Sequence, residues 1–234
     1  MEDIDDLMDT FFTHYPLITS EIAFDAVILC SGDYPAPNSV AYSILRNTKY
    51  VCCCDGAAMT YIEREGRLPQ AIVGDCDSLP QSFQEKYKDI IIRMTEQEEN
   101  DQTKATRHCL EKGLYRIAYL GCTGKREDHT LGNISLMMHY VMELEADPVM
   151  ITDYGSFMPA LGSADFDTFA GQQVSIFNYG CKNMTSEGLK WDVYPFDHLW
   201  QGTLNEALGD SITIRSDGPY LVYRTFNKKN HLVE

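Results

Sequence analysis

The chain has 234 residues, of which 44% are hydrophobic and 23% charged, enough for one large domain or two small ones. Its formal net charge of −16 excludes the basic stripe of a nucleic-acid binder and leaves room for a nucleotide as a small ligand. No apolar run is long enough for a membrane span, and the acidic start Met1-Glu-Asp-Ile-Asp-Asp is unlike a signal peptide, so a cytoplasmic protein without a membrane partner is expected.

From about residue 24 the pattern alternates. Strands are predicted at 25–30, 50–54, 71–74, 89–93, 116–120 and 148–152. Helices are predicted between them at 38–46, 57–65, 80–88, 102–112 and 130–145. The last shows Leu131, Ile134, Met138, Val141, Met142 and Leu144 at helical spacing. Strictly alternating elements predict a doubly wound, mostly parallel α/β domain over residues 24–155. Helical periodicity fades after Asp153, and Gly155, Pro159, Gly162 and Ser163 mark a boundary within 153–165. Short segments at 173–177, 184–191, 211–215 and 220–226 then predict a small all-β sandwich or barrel over residues 160–234. The first 20 or so residues, with Phe11, Phe12 and Tyr15 among acids, read as a docking arm or a frayed end.

Eight cysteines include the consecutive Cys52, Cys53 and Cys54, whose spacing does not suit zinc; buried, reduced thiols are expected. The acidic residues carry more chemistry. Asp55 ends one predicted strand, Asp75 and Asp77 flank the end of another, and Asp101 opens a helix. Carboxylates gathered at strand ends repel unless a cation lies among them, which predicts Mg²⁺ and a phosphate-bearing substrate. Asp75 and Asp77 would share a side if strand geometry persisted, although a turn built from Asp, Ser and Pro explains them equally. Asn100 or Asp101 is the expected N-cap of the following helix, and Lys104 one turn later suits an arriving phosphate. In Gly121-Cys-Thr-Gly124-Lys125-Arg126-Glu-Asp128-His129-Thr130 the glycines allow close approach and Lys125 and Arg126 supply charge. Asp128 and Thr130 could simply cap a helix, His129 reads as structural, and no Walker spacing occurs. Trp191, Tyr194, Phe196 and Trp200 could be core or a shelf for a planar ring.

The order of these motifs resembles the thiamin pyrophosphokinase family. Asp55-Gly-Ala-Ala is similar to its D-G-G-A-N, Gly74-Asp-Cys-Asp-Ser78 to G-D-x-D-S, and Asp101-Gln-Thr-Lys104 to D-x-T-K, with Gln97 in the place of a family glutamine. The run from Gly121 to Asn133 resembles G-x-x-G-x-R-x-D-[HQ]-x-x-x-N, and Gly188-Leu-Lys-Trp191 and Asn205-Glu206 resemble elements of the β domain. The likeness runs from about residue 25 to 225; Ala57, Met59 and Leu204 depart from the family pattern. The resemblance implies Mg²⁺-dependent transfer of diphosphate from ATP to thiamin, giving thiamin diphosphate and AMP, in a homodimer with its sites at the subunit interface. It implies Mg²⁺ on Asp75, Asp77 and Asp101, with Asp128 also in the catalytic set. Asp55, Gln97, Thr103, Lys104, Thr123, Gly124, Arg126 and Asn133 would contact ATP, while Trp191, Asn205 and Asp128 would meet thiamin. Alternatives are a pyrophosphotransferase for another aromatic alcohol and a non-catalytic thiamin- or nucleotide-binding regulator.

Overall fold

The computed structural model describes residues 12–228 and divides into two compact units. One spans Thr19–Asp153; of the described residues, the other joins 12–18 with 154–228.

Strand β1 (Thr13–Tyr15) belongs to the second unit. The first unit begins with β2 (Ala26–Leu29), α1 (Val40–Asn47), β3 (Val51–Cys54), α2 (Ala57–Glu65) and β4 (Ala71–Gly74). It continues with α3 (Gln81–Lys86), β5 (Ile91–Arg93), α4 (Asp101–Glu111), β6 (Arg116–Leu120), α5 (Glu127–Leu144) and β7 (Asp147–Ile151). Its strands lie in the order β7-β6-β2-β3-β4-β5, and each neighbouring pair is parallel. The chain therefore builds outward from β2 to β5, returns, and adds β6 and β7 on the other side. The reversal falls between β2 and β6, where an open sheet of this kind leaves its crevice. Every residue of β2, β3 and β4 is buried, which explains why these strands read as unbroken apolar or Cys-rich runs.

The predicted elements of this unit fall within a few residues of the observed ones. The face of α5 is the exception. Its buried residues are Met137, Met138 and Tyr140, whereas Leu131 and Met142 are exposed. The helix is apolar on more than one side, so spacing alone did not identify the buried stripe.

The second unit holds β8 (Gly155–Leu161), β9 (Ala164–Asp167), β10 (Gln172–Asn178), β11 (Met184–Glu187), β12 (Asn205–Glu206), β13 (Ser211–Ser216) and β14 (Pro219–Lys228). Within this unit the strands pair in the orders β1-β9-β13-β11 and β12-β10-β14-β8. Phe166, Val174, Ile176, Ile212, Ile214, Tyr220 and Val222 from both meet in one core, which makes a sandwich. The residues read as a boundary at 155–163 are β8 and the turn after it. Pro159 lies within that strand, paired in register with Leu221. Part of the presumed N-terminal arm is β1, paired in parallel with β9, and Tyr15 stacks on Phe166 at 4.8 Å. Phe11 lies outside the described residues.

Candidate active site

A cavity of about 450 Å³ opens at the carboxyl ends of β2, β3 and β6, at the point where the strand order reverses. Three loops and two helix starts form its wall: Cys30–Gly32 after β2, Cys54–Gly56 after β3, Gly121–Arg126 after β6, Asn100–Gln102 of α4, and His129 and Asn133 of α5.

The loops after β2 and β6 are zipped together. Gly32 N donates to Gly121 O at 2.7 Å, Asp33 N donates to Thr123 O at 2.8 Å, and Lys125 Nζ donates to Ser31 O. This approach requires glycine: a Cβ on Gly32 would stand 2.2 Å from Thr123 O. Three non-glycine residues at the site, Asp55 (φ 39°), Cys76 (φ 67°) and Lys125 (φ 59°), adopt left-handed backbone. Such strain gathers where loops are held in shape for a ligand.

The carboxylates converge around Gly74. A Cβ there would lie 3.0 Å from Asp55 Cβ and 3.3 Å from Asp101 Oδ1, so glycine permits the two acids to face one another. Asp55 is buried, and its Oδ1 has no hydrogen-bond partner. Burial raises the Asp101 carboxyl above the ordinary range; Lys104 opposes this, and the nearby Asp55 and Asp75 add to the rise. Asp75 is held below the ordinary range, chiefly by the Asp77 N–H donating to Oδ1 at 3.0 Å and then by a hydrogen bond from Gln97. The turn reading of Asp75-Cys-Asp77 is therefore visible in the backbone, with Asp77 itself exposed. Among the described residues no three His, Cys, Asp or Glu side chains form a ready metal cage. The donor set is nonetheless hard oxygen with an orphaned buried carboxylate atom, which suits an ion that keeps waters and takes one or two carboxylates plus substrate phosphates.

The cations divide. Lys104 is almost fully buried, donates to Met94 O at 3.2 Å and lies 3.6 Å from Glu96 and 3.7 Å from Asp101, away from the cavity wall. Thr103 is likewise buried, its hydroxyl meeting Asn100 Oδ1 and Tyr140 OH, both at 2.9 Å. Thr103 N also donates to Asn100 Oδ1, which makes Asn100 the N-cap of α4. Arg126 is exposed and pairs with Asp128 through both carboxylate oxygens, at 3.1 and 2.6 Å. That pairing holds the Asp128 carboxyl below its usual range. Asn133 donates to Cys122 O at 2.8 Å and lines the cavity, as Asp55, Asp101, Gly124 and Arg126 do. Thr123 contributes its backbone carbonyl, and Gln97, Asp75 and Asp77 lie off the wall. Ser31, Gly32 and Asp33 were not anticipated; their only signal is a short polar turn directly after a strand.

The second unit has its own cavity of about 360 Å³, lined by Trp191, Tyr194, Phe196, Leu204 and Asn205 among others. Asn205 is buried and clamps the Trp191 backbone, accepting from its N–H at 3.2 Å and donating to its carbonyl at 2.8 Å. Trp191 is 54% exposed and Trp200 72%, whereas Phe196 is buried, so the aromatics divide between core and open surface. Leu204, one of the departures from the family pattern, has φ 66°.

An open parallel sheet whose switch-point cavity is lined by Asp55, Asp101, Lys125 and Arg126 defines a doubly wound α/β domain with a site suited to a phosphorylated ligand. Two family models match in succession: thiamin pyrophosphokinase, catalytic domain, over residues 41–147, and thiamin pyrophosphokinase, substrate-binding domain, over residues 155–223. The chain belongs to the thiamin pyrophosphokinase family. Similar solved structures include thiamin pyrophosphokinase from Candida albicans, with TM-score 0.73, 16% identity, and 92% of this chain and 93% of that one covered. The Bacillus subtilis enzyme gives 0.69 at 19% identity, covering 86% and 98%, and the yeast enzyme 0.72 at 16%, covering 92% of each chain. At such identities the likeness speaks for the fold. Among the described residues no helix is long and apolar enough to cross a membrane.

Proposed function

We propose that the protein transfers the diphosphate of ATP to the hydroxyl of thiamin, releasing AMP, with Mg²⁺ as the required ion. The observation that carries this reading is the convergence of Asp55 and Asp101 around Gly74, in one cavity with Lys125 and Arg126. Asp75, Asp77 and Asp101 would hold the ion, which supplies charge neutralisation at the transferring phosphates.

The chain's own residues do the rest. Glycines at positions 32, 121 and 124 let the loops after β2 and β6 pack against one another, which fixes the wall that the phosphates would meet. Lys125 and Arg126 meet their negative charge, acting as fixed electrostatic stabilisation of the transition state. Arg126 presents its Nε and Nη2 donors to Asp128; turning that edge toward a phosphate would free Asp128, remove the charge that kept its carboxyl acidic, and leave it a better acceptor for the thiamin hydroxyl proton. Trp191, fixed by Asn205, offers an exposed ring to the cationic thiazolium. Gln97, Thr103 and Lys104 support the site by ordering Asp75 and the first turn of α4. The enzyme works as a cytoplasmic homodimer, a reading supported by Trp191, Tyr194, Leu199, Trp200 and Leu204 standing exposed on the second unit and by free thiols throughout the described residues.

The test is formation of thiamin diphosphate as Mg²⁺ is titrated. Wild type should be inactive without the ion, and Asp75→Asn should shift the titration to higher Mg²⁺ and lower the plateau. Ion-independent turnover would sink the metal assignment.

A further inference from the structure

Cys30, Cys54 and Cys122 line the nucleotide cavity, and phosphoryl transfer uses none of them. Leu29 and Cys53 are partners in the parallel β2–β3 ladder, so Cys30 and Cys54 are the next pair beyond it. Their Sγ atoms are 3.8 Å apart. Neighbouring strands lie roughly 4.8 Å apart, inside the roughly 4.4–6.8 Å that Cα atoms span across a disulfide. Among the free cysteines of the described residues, Cys30 is the one that is partly exposed; the others are buried. It faces a cavity that small solutes can enter, with a buried thiol in contact behind it.

We propose that Cys30 and Cys54 are a covalent modification site, oxidised by a peroxide to a reversible disulfide at the floor of the nucleotide cavity. In the first step the Cys30 thiol releases its proton to solvent, its sulfur attacks one peroxide oxygen and the O–O bond breaks. Hydroxide leaves and takes a solvent proton to become water, and Cys30 becomes a sulfenic acid, two electrons having passed from sulfur to peroxide. In the second step Cys54, its proton released to solvent, attacks the Cys30 sulfur; the S–O bond breaks and a second water forms. The balance is two thiols and one hydrogen peroxide giving one disulfide and two waters.

The link would disturb catalysis through α4 and Asp55. Cys54 Sγ donates to Asp101 O at 3.5 Å and Cys30 Sγ to Gln102 Oε1 at 3.6 Å. Neither sulfur keeps its proton in a disulfide, so both bonds to the first turn of α4 are lost. The sulfurs must also close from 3.8 Å to about 2.05 Å, drawing on the residue directly before Asp55. A shift of this size beside reacting groups should lower turnover about tenfold or more. A bridge between adjacent strands is readily reduced, so dithiothreitol should restore activity.

The experiment exposes the full chain to hydrogen peroxide, blocks remaining thiols with iodoacetamide, digests it and maps linkages by mass spectrometry. The expected result is a peptide pair joined through Cys30 and Cys54, lighter by two hydrogens and separated by dithiothreitol. Cys122→Ser should keep the link; Cys54→Ser should lose it and leave Cys30 as sulfenic or higher acid. A Cys30–Cys122 link, or irreversible oxidation of Cys30 with Cys54 still free in wild type, would overturn the proposal. The mass readout does not depend on thiamin turnover, so failure of the functional reading and failure of this one are separable. Activity is compared for each variant between its own oxidised and reduced forms, and equal activity in fully linked and reduced wild type would refute the catalytic consequence.

Discussion

Asn205 links the sequence of the second unit to the presentation of its exposed ring, and its replacement gives a quantitative test. Its Oδ1 accepts from Trp191 N at 3.2 Å and from Glu206 N at 2.9 Å, and its Nδ2 donates to Trp191 O at 2.8 Å. Asn205→Ala removes all of these from a buried side chain. At about 1 kcal/mol per hydrogen bond the loss is about 3 kcal/mol, an upper figure because the half-exposed Trp191 backbone regains some water. Asn205→Asp keeps both accepting contacts and loses only the donation, replacing it with an oxygen facing a carbonyl; its cost should be about 1–3 kcal/mol. Thermal unfolding and steady-state kinetics read the two consequences. Both variants should raise KM for thiamin, Ala more than Asp, with KM for ATP nearly unchanged. An alanine variant with wild-type KM for thiamin would refute the claim that Asn205 positions Trp191.

Gly32→Ala should destabilise by about 1–3 kcal/mol and lower turnover, because its Cβ meets the carbonyls of Thr123 and Gly121; Gly132→Ala, with open space around it, should not destabilise in the same melt. Asp101→Asn should abolish turnover yet raise the melting temperature at neutral pH. The sign follows from a carboxyl raised in the fold: the native state binds the proton more tightly than the unfolded chain, so ionised Asp101 costs stability above its native pKa and the cost fades as pH falls through that value. Wild type should thus gain stability relative to Asp101→Asn just above the ordinary carboxylate range, and a constant difference across pH would contradict this. Lys104 keeps Glu96 at 3.6 Å in the variant. Arg126→Lys should raise KM for ATP and move the acid limb of kcat/KM upward, since Asp128 loses the bidentate partner that holds its carboxyl down; an unmoved limb would remove Asp128 from the proton path.

Periodicity made the strand–helix alternation readable, because β2, β3 and β4 are buried throughout and their ends carry the acids. It failed where a cue had two physical meanings. Gly155 and Pro159 resemble linker residues, yet here they occupy a strand. Lys104 and Thr103 carry the right chemistry for a phosphate but lie inside the protein, engaged with Glu96, Asn100 and Tyr140. Helix spacing fixes which residues share a face and not which face meets the sheet. Ser31, Gly32 and Asp33 were missed because their role arises from hydrogen bonds to a loop some ninety residues away, which no local pattern encodes.

Diphosphate transfer requires attack at the β-phosphorus of ATP by the thiamin hydroxyl. The most direct measurement incubates the protein with Mg²⁺, thiamin and ATP labelled separately at the α, β and γ phosphorus. The β and γ label should move together into thiamin diphosphate while α label stays in AMP, in equal amounts and only with thiamin present. Label from the γ position alone in the product, with ADP as the partner, would contradict it.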